Sequence, residues 1–182
     1  MQKIGFVLLL IFPAFSNAAS VQLANANIAN VDKTTGYNLG YVGINNNQYV
    51  TTLSYSSFSE DNWHSSSFSA GFNYSFQPIN LGSFYMGVGM SSNSNKAWIT
   101  PPGSNSLSIR RSVSDQSSFT RVGYTKMSLM GIAYDYSVVN MDGKTSVGAS
   151  WRGAINRGFG WLFGVSSDGD DEVISTGISM IF

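Results

Sequence analysis

From Ser67 to Phe76 every second residue is apolar and every residue between is small or polar. Phe68, Ala70, Phe72, Tyr74 and Phe76 alternate with Ser67, Ser69, Gly71, Asn73 and Ser75. A strand sends successive side chains to opposite faces. A helix would bring Ser69 and Ser75 onto the side of Phe68, Phe72 and Phe76. The stretch therefore reads as a strand with one almost wholly aromatic face, and Gln77-Pro78-Ile79-Asn80 ends it.

The same rhythm recurs along the chain. Tyr37, Leu39 and Tyr41 oppose Gly36, Asn38 and Gly40, before a turn signal at Asn45-Asn46-Asn47. Tyr49, Thr51, Leu53 and Tyr55 form the next apolar-leaning face. Phe84, Met86, Val88 and Met90 oppose Tyr85, Gly87, Gly89 and Ser91. Shortest of all, Thr120, Val122 and Tyr124 oppose Arg121, Gly123 and Thr125. Met130 to Val138 and Val147 to Ile155 follow, then Phe159 to Val165, where Leu162 breaks the small-residue side. Ile174, Thr176, Ile178, Met180 and Phe182 close the chain. A weaker run at Val21 to Asn30 raises nine runs to ten.

Many runs approach the nine to eleven residues with which a tilted strand crosses a bilayer. Aromatic residues are 14% of the chain and charged residues only 11%, which suits a wall facing lipid better than a soluble surface. The expected fold is all-β: an antiparallel transmembrane β-barrel of ten strands, with eight as the alternative. A single-chain bacterial barrel has an even strand number, which favours ten over nine. Ten strands place outer loops at 31–34, 59–65, 92–117, 140–145 and 167–172. They place periplasmic turns at 45–47, 77–80, 126–128 and 156–158. Short turns thus fall on one side and longer loops on the other. An eight-strand count moves 92–117, the one long loop, to the periplasmic side.

The N-terminus supports an exported chain. Lys3 precedes the apolar run Ile4 to Phe12, and Ser16 and Ala18 are small residues placed for cleavage after Ala18. The expected division is a signal peptide over 1–18 and an outer-membrane barrel domain over 19–182. Cysteine is absent, so no disulfide staples the domain. Ten basic and ten acidic residues leave no electrostatic grip on nucleic acid.

Gly36-Tyr37-Asn38-Leu39-Gly40-Tyr41 and the aromatic end of the last run resemble the small outer-membrane barrels of the OmpX/Ail/Lom class. That resemblance is one of pattern over most of residues 19–182. It implies a bacterial outer-membrane location and a final strand, with Ile178, Met180 and Phe182, that the barrel assembly machinery reads. The class has eight strands, whereas this chain reads as ten.

Few residues carry candidate chemistry. Arg121, Asp135 and Arg152 fall on inner faces and make an expected lumen ion-pair network, since buried charges need partners. Lys96, Trp98, Arg110 and Arg111 make the long outer loop basic, a candidate contact for lipopolysaccharide phosphates or a surface polyanion. Asp168, Asp170 and Asp171 crowd a late loop with oxygen ligands, but lack the spacing of a helix–loop–helix calcium site. His64 and Ser66, with Glu60 or Asp61 as orienting acid, resemble the His-x-Ser pair of outer-membrane lipid A deacylases. Here the pair lies early and in an expected loop, beside Trp63. Neither a cofactor nor a metal is expected. The function expected is a structural or surface-interaction role carried by the outer loops. Its alternatives are a narrow solute channel and a lipid A-modifying hydrolase.

Overall fold

The computed structural model describes residues 21–31, 34–45, 48–60, 62–99, 109–127, 133–156 and 158–181. They form ten strands: β1 (Val21–Val31), β2 (Thr34–Asn45), β3 (Tyr49–Glu60), β4 (Trp63–Ser75), β5 (Ser83–Ile99), β6 (Ile109–Met127), β7 (Ala133–Met141), β8 (Lys144–Asn156), β9 (Phe159–Ser167) and β10 (Glu172–Ile181). Each pairs antiparallel with its chain neighbours, and β1 pairs with both β2 and β10, so the sheet closes. The weak first run is thus the strand that seals the barrel. Its contrast is low because small Ala24 and Ala26 alternate with Asn25 and Asn27.

The strands are strongly staggered. One line of paired residues runs from Val31 at one rim through Val173, Ser166, Gly148, Ser137, Gly123 and Tyr85 to Ser75 beside the other rim. Such stagger tilts the strands and widens the barrel. Both strand-forming ends of the chain, Val21 and Ile181, lie at what we call the terminal rim. The opposite, hairpin rim carries the tight turn at Asp142-Gly143, where both residues have positive φ (52° and 81°). Two consecutive positive φ values make the turn whose twist matches that of the flanking strands.

The barrel is apolar outside. Phe84 is 69% exposed, Met90 62% and Val88 60%, while Ser75, Ser83, Asn73 and Ser91 are buried. Water would not support that inversion, but a bilayer does. Aromatic rings cluster on the outer surface toward the terminal rim, with Tyr49 against Tyr74 (5.4 Å) and Phe84 against Tyr124 (5.3 Å). Among the described residues no helix is long and apolar enough to cross a membrane.

Four expectations need correction. Residues 92–117 are not mainly a loop: β5 and β6 stay paired from Ser83↔Thr125 up to Ile99↔Ile109. The run from Thr120, expected to be shortest, belongs to the longest strand, at 19 residues. Alternation fades after Met90 because the ribbon leaves lipid there, and backbone pairing needs no apolar outer face. Likewise 59–65 is mostly strand, since Glu60 pairs with Trp63. The expected turn at 126–128 gives way to strand as far as Met127, and 128–132 lie outside the described residues.

Large inward side chains need glycine opposite them. Phe119 lies over the cross-strand pair Gly71↔Gly89, and Tyr85 over Gly123. A Cβ at Gly89 would collide with the Phe119 ring, whose Cε1 would stand 2.7 Å away, and with the Ala70 carbonyl. We expect Gly89→Leu to lower barrel stability by about 1–3 kcal/mol in urea titrations. Phe119→Ala should restore part of that loss by emptying the space above. An unchanged midpoint in the single variant would refute this packing.

Candidate functional site

The lumen holds a polar cluster supplied by three strands. Arg121 on β6 and Asp135 on β7 point inward. Arg121 Nη2 donates to Asp135 Oδ1 at 3.1 Å and to Ser137 Oγ at 3.0 Å. Tyr85 Oη on β5 donates to the same carboxylate oxygen at 3.1 Å. Its ring also lies 5.7 Å from the Arg121 guanidinium carbon, within cation–π range. Arg152 on β8 lines the same space but makes no ion pair within 4.0 Å among the described residues. The network of three expected charges is therefore one pair, with a third charge beside it. Tyr85 completes the pair although sequence reading missed its role. Its signal was a polar-tipped aromatic among the small inner residues Gly87 and Gly89.

This cluster divides the lumen. Toward the terminal rim, Leu23, Ile44 and Ile79 form a buried apolar plug, with Val42, Val50 and Met127 packed against it. Ile79 comes from a 3₁₀ turn, Ile79–Leu81, between β4 and β5. Only about 130 Å³ remains open there. On the other side of the cluster a larger polar cavity of about 440 Å³ is lined by Asn25, Asn38, Ser54 and Ser69. Among the described residues the lumen is thus polar toward the hairpin rim, charged at mid-depth and more apolar toward the terminal rim.

At the hairpin rim the cationic residues lie on a paired ribbon. Arg110 and Trp98 are directly opposite each other, with the Arg110 guanidinium carbon 5.9 Å from the Trp98 ring centroid. His64 pairs with Lys96 across β4 and β5. Strand alternation places His64, Lys96, Trp98 and Arg110 on the outward face, continuous with Phe68 and Met90 below. Arg111 belongs to the opposite face of β6, so the structure separates it from Arg110.

His64 is in strand β4, not in a loop. Ser66 shares its face two residues on, but their cross-strand neighbours offer no orienting acid. His64 is flanked by Ser59 and Lys96. Glu60 opposes Trp63 and accepts a hydrogen bond from Thr34 Oγ1, while Asp61 lies outside the described residues.

The acidic tip between β9 and β10 is a self-bonded turn. Asp168 Oδ1 accepts backbone N–H bonds from Asp171 (2.9 Å) and Asp170 (3.2 Å). These two donors hold the Asp168 carboxyl below its usual pKa. Asp170 faces Lys144 at 3.8 Å, so the carboxylates do not converge. Among the described residues no group of three or more potential ligands could hold a metal. In the last strand, Ile178 and Met180 face outward at 59% and 36% exposure, and Phe182 lies outside the described residues.

No protein-family model matches this chain, and no curated protein sequence matches it. Solved structures do. The N-terminal barrel domain of Pseudomonas aeruginosa OprF is 11% identical, with 90% of this chain and 98% of that one covered and a TM-score of 0.50. A KdgM porin is 10% identical over 87% and 98%, with a TM-score of 0.49. Ail of Yersinia pestis is 15% identical over 89% and 96%, with a TM-score of 0.37. The likeness is one of fold: a small closed barrel of the kind typical of bacterial outer-membrane proteins.

Among the described residues Asp135 is the one acid beside Arg121 and Arg152, and the side chains of its pair with Arg121 are 27% and 28% exposed. We expect Asp135→Asn to cost about 1–3 kcal/mol, less than a fully buried pair because the lumen is partly wet. Urea titration in detergent measures it. An unchanged midpoint would mean that lumen water alone balances Arg121 and Arg152.

Proposed function

We propose that this chain acts at the bacterial surface as a non-enzymatic outer-membrane barrel. Its β4–β6 ridge engages the anionic groups of outer-leaflet lipopolysaccharide. Residues 1–18 direct export and are cleaved, and the C-terminal Ile178, Met180 and Phe182 are read by the assembly machinery. The observation that carries this reading is the outward cluster of Lys96, Arg110 and Trp98 with His64, set above the apolar band on the tallest strands. Cations beside an exposed indole suit phosphate-bearing sugars at a membrane interface. The six-residue likeness to the OmpX/Ail/Lom class lies on β2, two strands from β4, and shares no residue with this ridge.

The buried apolar cluster of Leu23, Ile44 and Ile79, which narrows the lumen toward the terminal rim among the described residues, supports a surface role over transport. Among the described residues Ser59 and Lys96, not an acid, pair across from His64, which supports a non-enzymatic reading. A hydroxyl nucleophile needs its base held in one orientation by a third group.

The direct test is lipopolysaccharide binding by the refolded barrel in detergent. Lys96→Ala combined with Arg110→Ala should weaken binding roughly tenfold or more and flatten its salt dependence, at about 1 kcal/mol for each cation near an anionic surface. Equal affinity in the variant would end the proposal. In planar bilayers the native protein should give no stepwise conductance. Stable steps would restore the channel alternative.

A further inference from the structure

Beyond Phe119, strand β6 has a partner on one side only. β7 pairs with it over Phe119–Met127, whereas β5 follows it to Ile109. Ile109–Ser118 therefore presents a backbone edge that no strand among the described residues covers. The side chains of residues 110–116 are exposed, Val113 at 52%. An open strand edge is a template for another strand.

This edge is complementary to itself. In antiparallel pairing centred on Val113, Arg111 meets Asp115 of the second copy, and Asp115 meets its Arg111. Ser112 meets Ser114, Arg110 meets Gln116, and Val113 meets Val113. Directly opposed residues share a face, so both ion pairs flank the central valines on one side of the joined sheet. A slip of two residues is the smallest that keeps every side chain on its face. It would set Arg111 against Val113 or Ser117 and lose both ion pairs.

The symmetry dictates where the second copy sits. Two antiparallel copies of one strand in one sheet are related by a two-fold axis perpendicular to that sheet. A barrel wall stands across its membrane, so that axis lies in the membrane plane and turns the second barrel upside down. Two copies in one bilayer cannot meet this way, but copies in two facing membranes can. Five residues separate Val113 from Ser118, the partner of Met90 at the edge of the apolar band. At about 3.3 Å per residue and a tilt of roughly 40°, the two apolar bands would stand about 25 Å apart.

We propose that the free edge of β6 over Arg110–Gln116 is a homotypic contact, joining two copies of this chain across opposed membranes. It rests on the surface reading above only in needing the hairpin rim outside. It uses the strand edge and the Arg111/Asp115 face, not the outward face that carries Arg110. Each contact is small, and many between two membranes add up.

The test uses the full barrel reconstituted into phosphatidylcholine vesicles free of lipopolysaccharide, with clustering followed by light scattering. Native vesicles should cluster. Arg111→Asp alone, or Asp115→Arg alone, should slow clustering roughly tenfold, because like charges then oppose each other twice per contact. The double swap Arg111→Asp with Asp115→Arg keeps the native net charge and should restore clustering. Under mild oxidation Val113→Cys should form disulfides between vesicles. Arg110→Cys should not, since it faces Gln116. Native vesicles that stay dispersed, single variants that cluster like the native protein, or a double swap without recovery would each overturn the proposal. Clustering only after lipopolysaccharide is added would also overturn it, while leaving the outward-face reading intact.

Discussion

Everything in this molecule depends on the ladder that joins β1 to β10. A backbone N–H or C=O without a partner in lipid costs several kcal/mol, so a sheet crosses a bilayer only when it has no edge. Closure removes both edges within the membrane span. It also explains how a first strand with little apolar contrast earns its place: Val21–Val31 supplies hydrogen bonds on both sides rather than a greasy face. Above the span the requirement lapses, and there no strand among the described residues pairs with β6 on the side away from β5.

Stagger then decides what the closed sheet encloses. Ten tilted strands leave more room than small side chains fill, and the chain uses the excess differently at each depth. At the base, Leu23, Ile44 and Ile79 fill it as an ordinary apolar core. At mid-depth Arg121, Asp135 and Tyr85 meet across three strands, with Ser137 taking a further guanidinium hydrogen. Higher still, asparagine and serine leave a wet cavity. Glycines set beneath Phe119 and Tyr85 permit these large residues to lie flat against the wall.

The two surfaces proposed to bind partners lie where the membrane no longer dictates composition. On the ribbon, outward positions exchange Phe68 and Met90 for His64, Lys96, Trp98 and Arg110. Inward positions of β6 carry Arg111, Val113 and Asp115. One ribbon thus presents a cationic aromatic face to its own membrane surface and a self-complementary edge away from it.

The sequence by itself determined the fold class and the facing of most residues, and it favoured ten strands while leaving eight open. Lipid enforces a period-two contrast, and Phe68 to Phe76 or Phe84 to Met90 display it directly. It also located Arg121 and Asp135 on inner faces, since a charge within such a run can only turn inward. Where lipid contact ends, the contrast ends too, so Ser92–Ser118 read as loop although it is largely paired strand. Only the tertiary structure decided that Tyr85 joins Asp135 and that Arg152 stands beside the pair without bonding to it. It alone brought Leu23, Ile44 and Ile79 into one plug, and divided Arg110 from Arg111. Those outcomes depend on register and stagger between strands far apart in the chain, and a residue's own alternation carries no record of which residue lies across the barrel.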